Sequence, residues 1–346
     1  MNRHNNFDAL RLLAAAGVMA LHFVDLSQEA ALAPLTWVDT KMALSVFFVI
    51  SGYLVFMSWD RAPHWPVYLA RRLRRIVPAY AVVVAACAVL GLALSTLSWR
   101  DYFGLAWGRY LLANLGFLNF LQPSLPGVFT GNPMPGAPVN GALWTIKVEL
   151  MFYIVVPAIA ALCRRFGHHR VLGVGFALSC LWWGGFVTLA WHTGRGAFFE
   201  LAKQMPGQLM FFLPGAWCYL ERQRLQQLGW RVGAAGLLTL VLAYRFDQTH
   251  ANLGVFIYPL ALTACVFWAA HILPWLGSVT RHGDLSYGLY IWHFPVIQAL
   301  VQLGVFKASP WGGVTLTLCL VLMLAWASWR WVESPWLRSA PLAEAR

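Results

Sequence analysis

Arg11 and His22 stand in an apolar stretch, where ionisable side chains are costly and point to function. Eleven helical residues at 100° each leave them about 20° apart around the axis and about 16 Å apart along it. They therefore share one face. An imidazole is well suited to take a proton from a hydroxyl near neutral pH. Glu149 and Tyr153, four apart, also share a face. Counting from the helix ends puts Glu149 at the depth of His22, where a carboxylate would orient the ring and raise its basicity. Further on, Tyr287, Tyr290 and His293 fall in another apolar run, with Tyr290 and His293 neighbours three apart. Arg71, Arg72, Arg74 and Arg75 crowd around Leu73, and guanidinium forks bind phosphate oxygens. Each feature has a plainer reading that stays open. Arg11 could snorkel to an interface, the histidines and tyrosines could bond between helices, and Glu149 could pair with Lys147. The arginines could simply report topology.

The elements that position these residues must cross a membrane. Of 346 residues, 60% are hydrophobic and 11% charged, against about 45–50% and about 25% in soluble domains. That leaves too few polar side chains to cover a soluble globule, and it excludes disordered, fibrous and nucleic-acid-binding chains. Apolar stretches of spanning length lie near 7–25, 41–59, 76–97, 143–162, 171–191, 204–220, 232–247, 253–273, 285–304 and 310–332. The expectation is an all-α, polytopic membrane protein of about ten transmembrane helices, with 1–346 forming a single integral-membrane domain.

The net charge of +12 is informative through its placement. Arginine groups at 71–75, 164–170 and 222–231, with Arg3, Arg61, Arg281, Arg330, Arg338 and Arg346, fall on one side. The other side holds the scattered Lys41, Arg100, Arg109, Arg195, Lys203, Arg245 and Lys307. The positive-inside rule then puts both termini, including the short tail 334–346, in the cytoplasm. The first stretch reads as a retained helix, because Asp8, Arg11 and His22 interrupt it and no cleavage pattern follows. The long outside connection, 98–142, divides into an aromatic amphipathic part, 102–121, and an irregular Pro/Gly-rich part, 122–141. The six cysteines have no paired spacing, so no metal or disulfide framework is expected.

Taken together, these residues resemble the membrane-bound acyltransferase-3 family over about 7–335. Arg11 and His22 match its Arg–ten residues–His pattern, and Phe47-Phe48-Val49-Ile50-Ser51-Gly52-Tyr53-Leu54 looks like its FFxxSGYL stretch. Arg71, Arg72, Arg75, Ile76, Pro78 and Tyr80 fall on R-R-x-x-R-I-x-P-x-Y. Trp144, Glu149, Phe152 and Tyr153 fall on W-x-x-x-x-E-x-x-F-Y. Ser286, Tyr287, Tyr290 and His293 match a later segment, and Glu333-Ser334-Pro335 the closing E-x-P. Two departures are Thr145 in place of a common Ser, and Lys147 where a small polar residue is usual.

The resemblance implies transfer of an acyl group, acetyl above all, from acetyl-CoA or another acyl-CoA in the cytoplasm. The acceptor would be a hydroxyl of an extracytoplasmic glycan or glycolipid, and the location the inner (plasma) membrane. It implies His22 as general base or acyl carrier, with Arg11 and Glu149 in catalysis. Arg71, Arg72 and Arg75 would hold coenzyme A phosphates. Ser51, Tyr53, Trp144, Tyr153, Tyr287, Tyr290 and His293 would line the channel or contact substrate, with no metal and no nucleic acid. It also implies a stand-alone form, since little chain follows Glu333. The alternatives are a proton-coupled secondary transporter, whose usual internal repeats are not evident, and an acyltransferase acting on a lipid or peptide.

Overall fold

A computed structural model describes residues 5–37, 40–247, 254–277 and 283–338. Arg3, Arg281, Arg346 and the tail beyond Arg338 lie outside these residues. Each of the ten apolar stretches is helical over most of its described residues. They form α1 (Phe7–Ser27), α2 (Thr40–Arg61), α3 (Trp65–Leu90), α5 (Trp144–Phe166), α6 (His168–Thr193), α7 (Met205–Leu220), α8 (Trp230–Asp247), α9 (Gly254–His271), α10 (Ser286–Gln302) and α11 (Pro310–Ala327). The connection after α3 holds one further helix of note, α4 (Leu105–Leu115). The described residues contain no strand. Seven of the helical segments are long and apolar enough to cross a membrane, those of α1, α2, α3, α5, α6, α9 and α11. The chain is an all-α, multi-pass membrane protein.

Two boundaries differ from expectation. The third helix begins at Trp65, not near 76, so Arg71–Arg75 lie within it rather than at its mouth. Hydropathy reading stops at charges, but Arg has good helix propensity and its apolar stem can lie along the helix. The amphipathic segment 102–121 shrinks to the eleven residues of α4, whose Leu105 and Leu112 are exposed. It ends at Gly116, and Phe117 takes a left-handed φ of 59° while stacking on Tyr80 at 4.3 Å.

The described residues form two compact units. The first draws on Met1–Ala14, Leu44–Leu69 and Val148–Ser278. Its helices approach closely where glycines remove side-chain bulk, as is usual between membrane helices. A Cβ on Gly52 of α2 would collide with the Phe212 carbonyl of α7, and one on Gly215 with the Val49 carbonyl. Phe152 of α5 stacks on Phe212 at 4.3 Å and meets Phe48 edge-on at 5.6 Å. This packing brings α2, α5 and α7 together beside Ser51 and Glu149.

The second unit draws on Ala15–Ala43, Ala70–Lys147 and Val279–Arg346. Its centre is α10, most of whose residues are buried, polar Ser286, His293 and Gln298 included. Gly288 lets α10 lie against the backbone of Ala325 on α11. The loop before α5 is tied to α10 by Asn140 Nδ2 donating to the Ile291 carbonyl (2.8 Å) and Gln298 Nε2 to the Pro138 carbonyl (3.0 Å). Phe294 fills the space over Gly141, where a Cβ would strike its ring.

Candidate active site

The expected site residues fall into clusters within each of the two units. In the second unit, His22 on α1 meets His293 on α10, Nδ1 to Nε2, at 2.7 Å. The rings lie nearly parallel with centroids 5.0 Å apart, and Phe294 stands edge-on to His22 at 5.1 Å. His293 is fully buried and His22 half-buried. The other nitrogen of His293, Nδ1, is 3.1 Å from the Leu289 carbonyl one turn back. A carbonyl only accepts, so Nδ1 of His293 carries the proton and a neutral ring leaves Nε2 with a lone pair. That lone pair accepts from His22 Nδ1–H, so His22 presents a bare Nε2. The tautomer is assigned from this hydrogen-bond chain. The result has the logic of a base held in one tautomer by an orienting partner.

Tyr290, one turn before His293, is edge-on to it at 5.8 Å. Its hydroxyl meets Thr145 Oγ1 at 2.7 Å and donates to the Ala142 carbonyl at 3.1 Å. Thr145 thus does the hydroxyl work expected of a Ser. Lys147 lies over the Phe120 ring, 4.4 Å from its centroid.

Also in the second unit, Arg75 of α3 forms an ion pair with Asp284. Asp284 Oδ1 caps the start of α10, accepting from the Ser286 hydroxyl (2.5 Å) and backbone N–H (3.2 Å). Tyr287 donates to the Ile76 carbonyl at 2.9 Å. Glu333, buried in a π-helical turn after α11, accepts from Ser328 at 2.7 Å and is within electrostatic reach of Arg75 and Asp284. Asp284 is a member of this cluster that the sequence reading misses. Its signal is an acid two residues before a Ser at a helix start, which reads as capping alone. A guanidinium has five donors, so Arg75 can hold Asp284 and still face a phosphate. Arg71 is exposed and Arg72 half-buried on the same helix.

In the first unit, Glu149 Oε1 accepts from Tyr153 OH at 2.6 Å and from Ser51 Oγ at 3.1 Å. The Tyr153 carbonyl in turn accepts from Tyr68 at 3.2 Å. Within its own unit, His22 has His293 as its hydrogen-bond partner, a contact that depth counting does not give. Depth fixes height in a bundle but not which neighbour a side chain faces. Tyr53 belongs to a separate aromatic group, with Phe7 at 4.9 Å, His271 at 5.1 Å and Tyr219 at 5.4 Å. Arg11 is 3.6 Å from Asp8 on its own helix, with 17% of its side chain exposed. Trp144, which belongs to the second unit, opens α5 half-buried.

One cluster of metal-type ligands occurs among the described residues: His168, His169 and Glu221. Glu221 is 2.8 Å from His168 Nε2 and 3.4 Å from His169 Nε2. The Trp217 indole N–H donates to His169 Nδ1 at 3.1 Å. That occupies the lone pair and places the ring proton on Nε2, facing the carboxylate. The donor set is a poor fit to a metal ion.

Comparison with known proteins agrees with this picture. Residues 4–330 match the acyltransferase-3 family, described as an acyltransferase domain. The chain is similar to "Nodulation protein 10" of Rhizobium leguminosarum bv. viciae, 27% identical over 96% of this chain and 92% of that protein. It is similar to "O-acetyl transferase" of Shigella phage Sf6, 25% identical over 99% and 98%. It is also 24% identical to "O-acetyltransferase OatA" of Staphylococcus aureus strain NCTC 8325, over 95% of this chain but 56% of that longer protein. No solved structure matches the chain.

Proposed function

The chain is a member of the acyltransferase-3 family, an O-acetyltransferase-type enzyme, and from that premise we propose that it carries acetyl groups from cytoplasmic acetyl-CoA to a hydroxyl of an extracytoplasmic glycan or glycolipid. Family membership favours this over a proton-coupled transporter. The observation that carries the reading is the His22–His293 pair, with its bare nitrogen on His22. In the proposed reaction, His22 Nε2 takes the acceptor hydroxyl proton as that oxygen attacks the thioester carbon. The carbon–sulfur bond breaks, and the proton passes from His22 to the departing coenzyme A sulfur. A route with the acetyl group resting briefly on His22 uses the same nitrogen.

Arg71, Arg72 and Arg75 are proposed to grip the coenzyme A phosphates, because they lie together on α3 at the end that the positive-inside rule places in the cytoplasm. The same rule is the support for proposing both termini inside, and family membership is the support for proposing the plasma membrane. Arg11, Glu149 with Ser51 and Tyr153, and Tyr287 with Tyr290 are proposed to serve the same reaction as lining and orienting groups. A lipid or peptide acceptor is the remaining alternative.

Sealed proteoliposomes of known orientation test the reading, with acetyl-CoA on the arginine side and a polysaccharide on the other. The expected result is acetylated polysaccharide on one side and free coenzyme A on the other. Transfer only when both substrates share a face overturns the transbilayer arrangement. Arg72→Ala with Arg75→Ala is expected to raise KM for acetyl-CoA about tenfold or more, an effect that added salt mimics in the wild type. An unchanged donor KM assigns the arginines to topology alone.

A further inference from the structure

The second unit contains a polar cavity of about 270 Å³ that none of the proposed steps uses. Its walls include Ser27, Glu29, Asn132, Gln302 and Lys307, beside Phe306. Ser27 lies on α1 beyond His22, and Gln302 on α10 beyond His293. The offsets along the two helices are about 8 Å and about 14 Å. The positive-inside reading puts these helix ends outside the cell.

The walls are held in place by hydrogen bonds. Gln302 accepts from the Phe129 N–H (2.9 Å) and donates to the Leu94 carbonyl (2.5 Å). Asn132 Nδ2 donates to the carbonyl (2.9 Å) and Oε1 (2.7 Å) of Gln298, which is fully buried. Ser27 Oγ accepts from the Glu29 N–H at 3.3 Å and so shapes the turn that carries the carboxylate. What remains is a carboxylate on Glu29 and an ammonium on Lys307. They line one cavity, yet among the described residues neither side chain makes a hydrogen bond or ion pair. Opposite charges that share a pocket without pairing leave an acceptor and three donors for a ligand. Ligand hydroxyls satisfy both at once, donating to Glu29 and accepting from Lys307, while Phe306 offers an apolar wall. Because the two charges cancel, the pocket does not select an anion.

We propose that this cavity binds an uncharged sugar residue of the acceptor, distinct from the sugar that carries the reacting hydroxyl. The volume is near the lower end of small-molecule sites, about 300 Å³, which suits one ring rather than an extended chain. The proposal rests on the glycan reading above. Binding energy that acts equally on ground and transition states sets KM and leaves kcat alone, and that is the behaviour expected of this subsite.

Maltotriose, chitotriose, an acidic trisaccharide (trigalacturonate) and the corresponding monosaccharides serve as probes. Each is used as acceptor with acetyl-CoA in proteoliposomes, and each is tested for direct binding by saturation-transfer NMR. Lys307 is exposed and Glu29 half-buried, so Glu29→Gln and Lys307→Met keep the fold. Both variants are expected to raise KM for a neutral trisaccharide about tenfold, with kcat and the KM for acetyl-CoA within about twofold. Monosaccharide acceptors, too short to reach the cavity, are expected to be unaffected. Neutral-sugar binding or KM unchanged in both variants overturns the pocket while leaving the enzyme reading intact. A loss confined to the acidic trisaccharide overturns the uncharged-sugar assignment. Sugar binding that depends on Glu29 and Lys307, without acetylation by the wild type, keeps the pocket and sinks the glycan-acetylation reading. Neither binding nor acetylation sinks both.

Discussion

Two pairs of histidines occur among the described residues, and they are built on opposite principles. His22 and His293 come from helices 271 residues apart in sequence, and the chain of bonds from His22 runs through His293 to a backbone carbonyl. His168 and His169 are sequence neighbours at the start of α6, with ring centroids 4.1 Å apart, and both face the Glu221 carboxylate. A carboxylate only accepts, so each of these rings turns an N–H towards Glu221. A second imidazole whose own proton is committed to a carbonyl fixes its partner's tautomer instead. It accepts one proton from its partner and leaves the partner's far nitrogen open. The first arrangement suits a proton shuttle, and the second ties the start of α6 to the end of α7.

The comparison breaks first at His22. Removing a general base costs about 10²–10⁴ in rate. Acetyl transfer by purified His22→Ala is expected to fall by that amount, with membrane yield unchanged. Near-normal turnover ends the assignment.

His293 gives the next largest effect and sharpens the comparison, because its role is to accept one hydrogen bond. His293→Leu strands the Nδ1–H of His22, a penalty of about 1–3 kcal/mol for an unpaired buried donor. A kcat loss of about 10–100-fold follows if that energy bears on the base. His293→Gln restores an acceptor oxygen and is expected to recover part of the rate. Equal loss in both variants makes His293 a packing residue. Tyr153→Phe, which removes one of two bonds to Glu149, is expected to cost less, about tenfold in kcat/KM at most.

Much of this was readable in the residues and some was not, for physical reasons. The helices of spanning length announce themselves because a long apolar run has few other outcomes in water or lipid. Even α10, only 17 residues long, stands out through its aromatic and apolar density. The start of α3 did not, because an Arg-rich turn looks like a loop when only hydropathy is read. His22, Glu149 and His293 were each singled out as ionisable groups in apolar runs. Their partners were not foreseen, since which side chains face each other depends on helix rotation and packing. The contacts of Glu149 with Ser51 follow from the glycine-mediated approach of α2 and α7, which only the assembled helices display. Asp284 hid behind an ordinary capping role.

The smallest effect belongs to the carboxylate of the other pair. Glu221 accepts from His168 at 2.8 Å, and its side chain is 16% exposed while that of His169 is 61% exposed. Glu221→Gln keeps an oxygen facing the rings and removes the charge. Partly solvated ties of this kind contribute about 0–1 kcal/mol, which in a chain this long moves the unfolding midpoint by about 4 °C at most. Acetyl transfer is expected to stay within about twofold of wild type, since the cluster takes no part in the proposed proton path. Dialysis against EDTA is expected to change neither quantity, because Trp217 occupies the lone pair of His169 that a metal would need. If EDTA lowers the midpoint in the wild type but not in Glu221→Gln, then the second pair is a metal site. The two histidine pairs would then differ in that one holds a metal ion and the other a fixed tautomer.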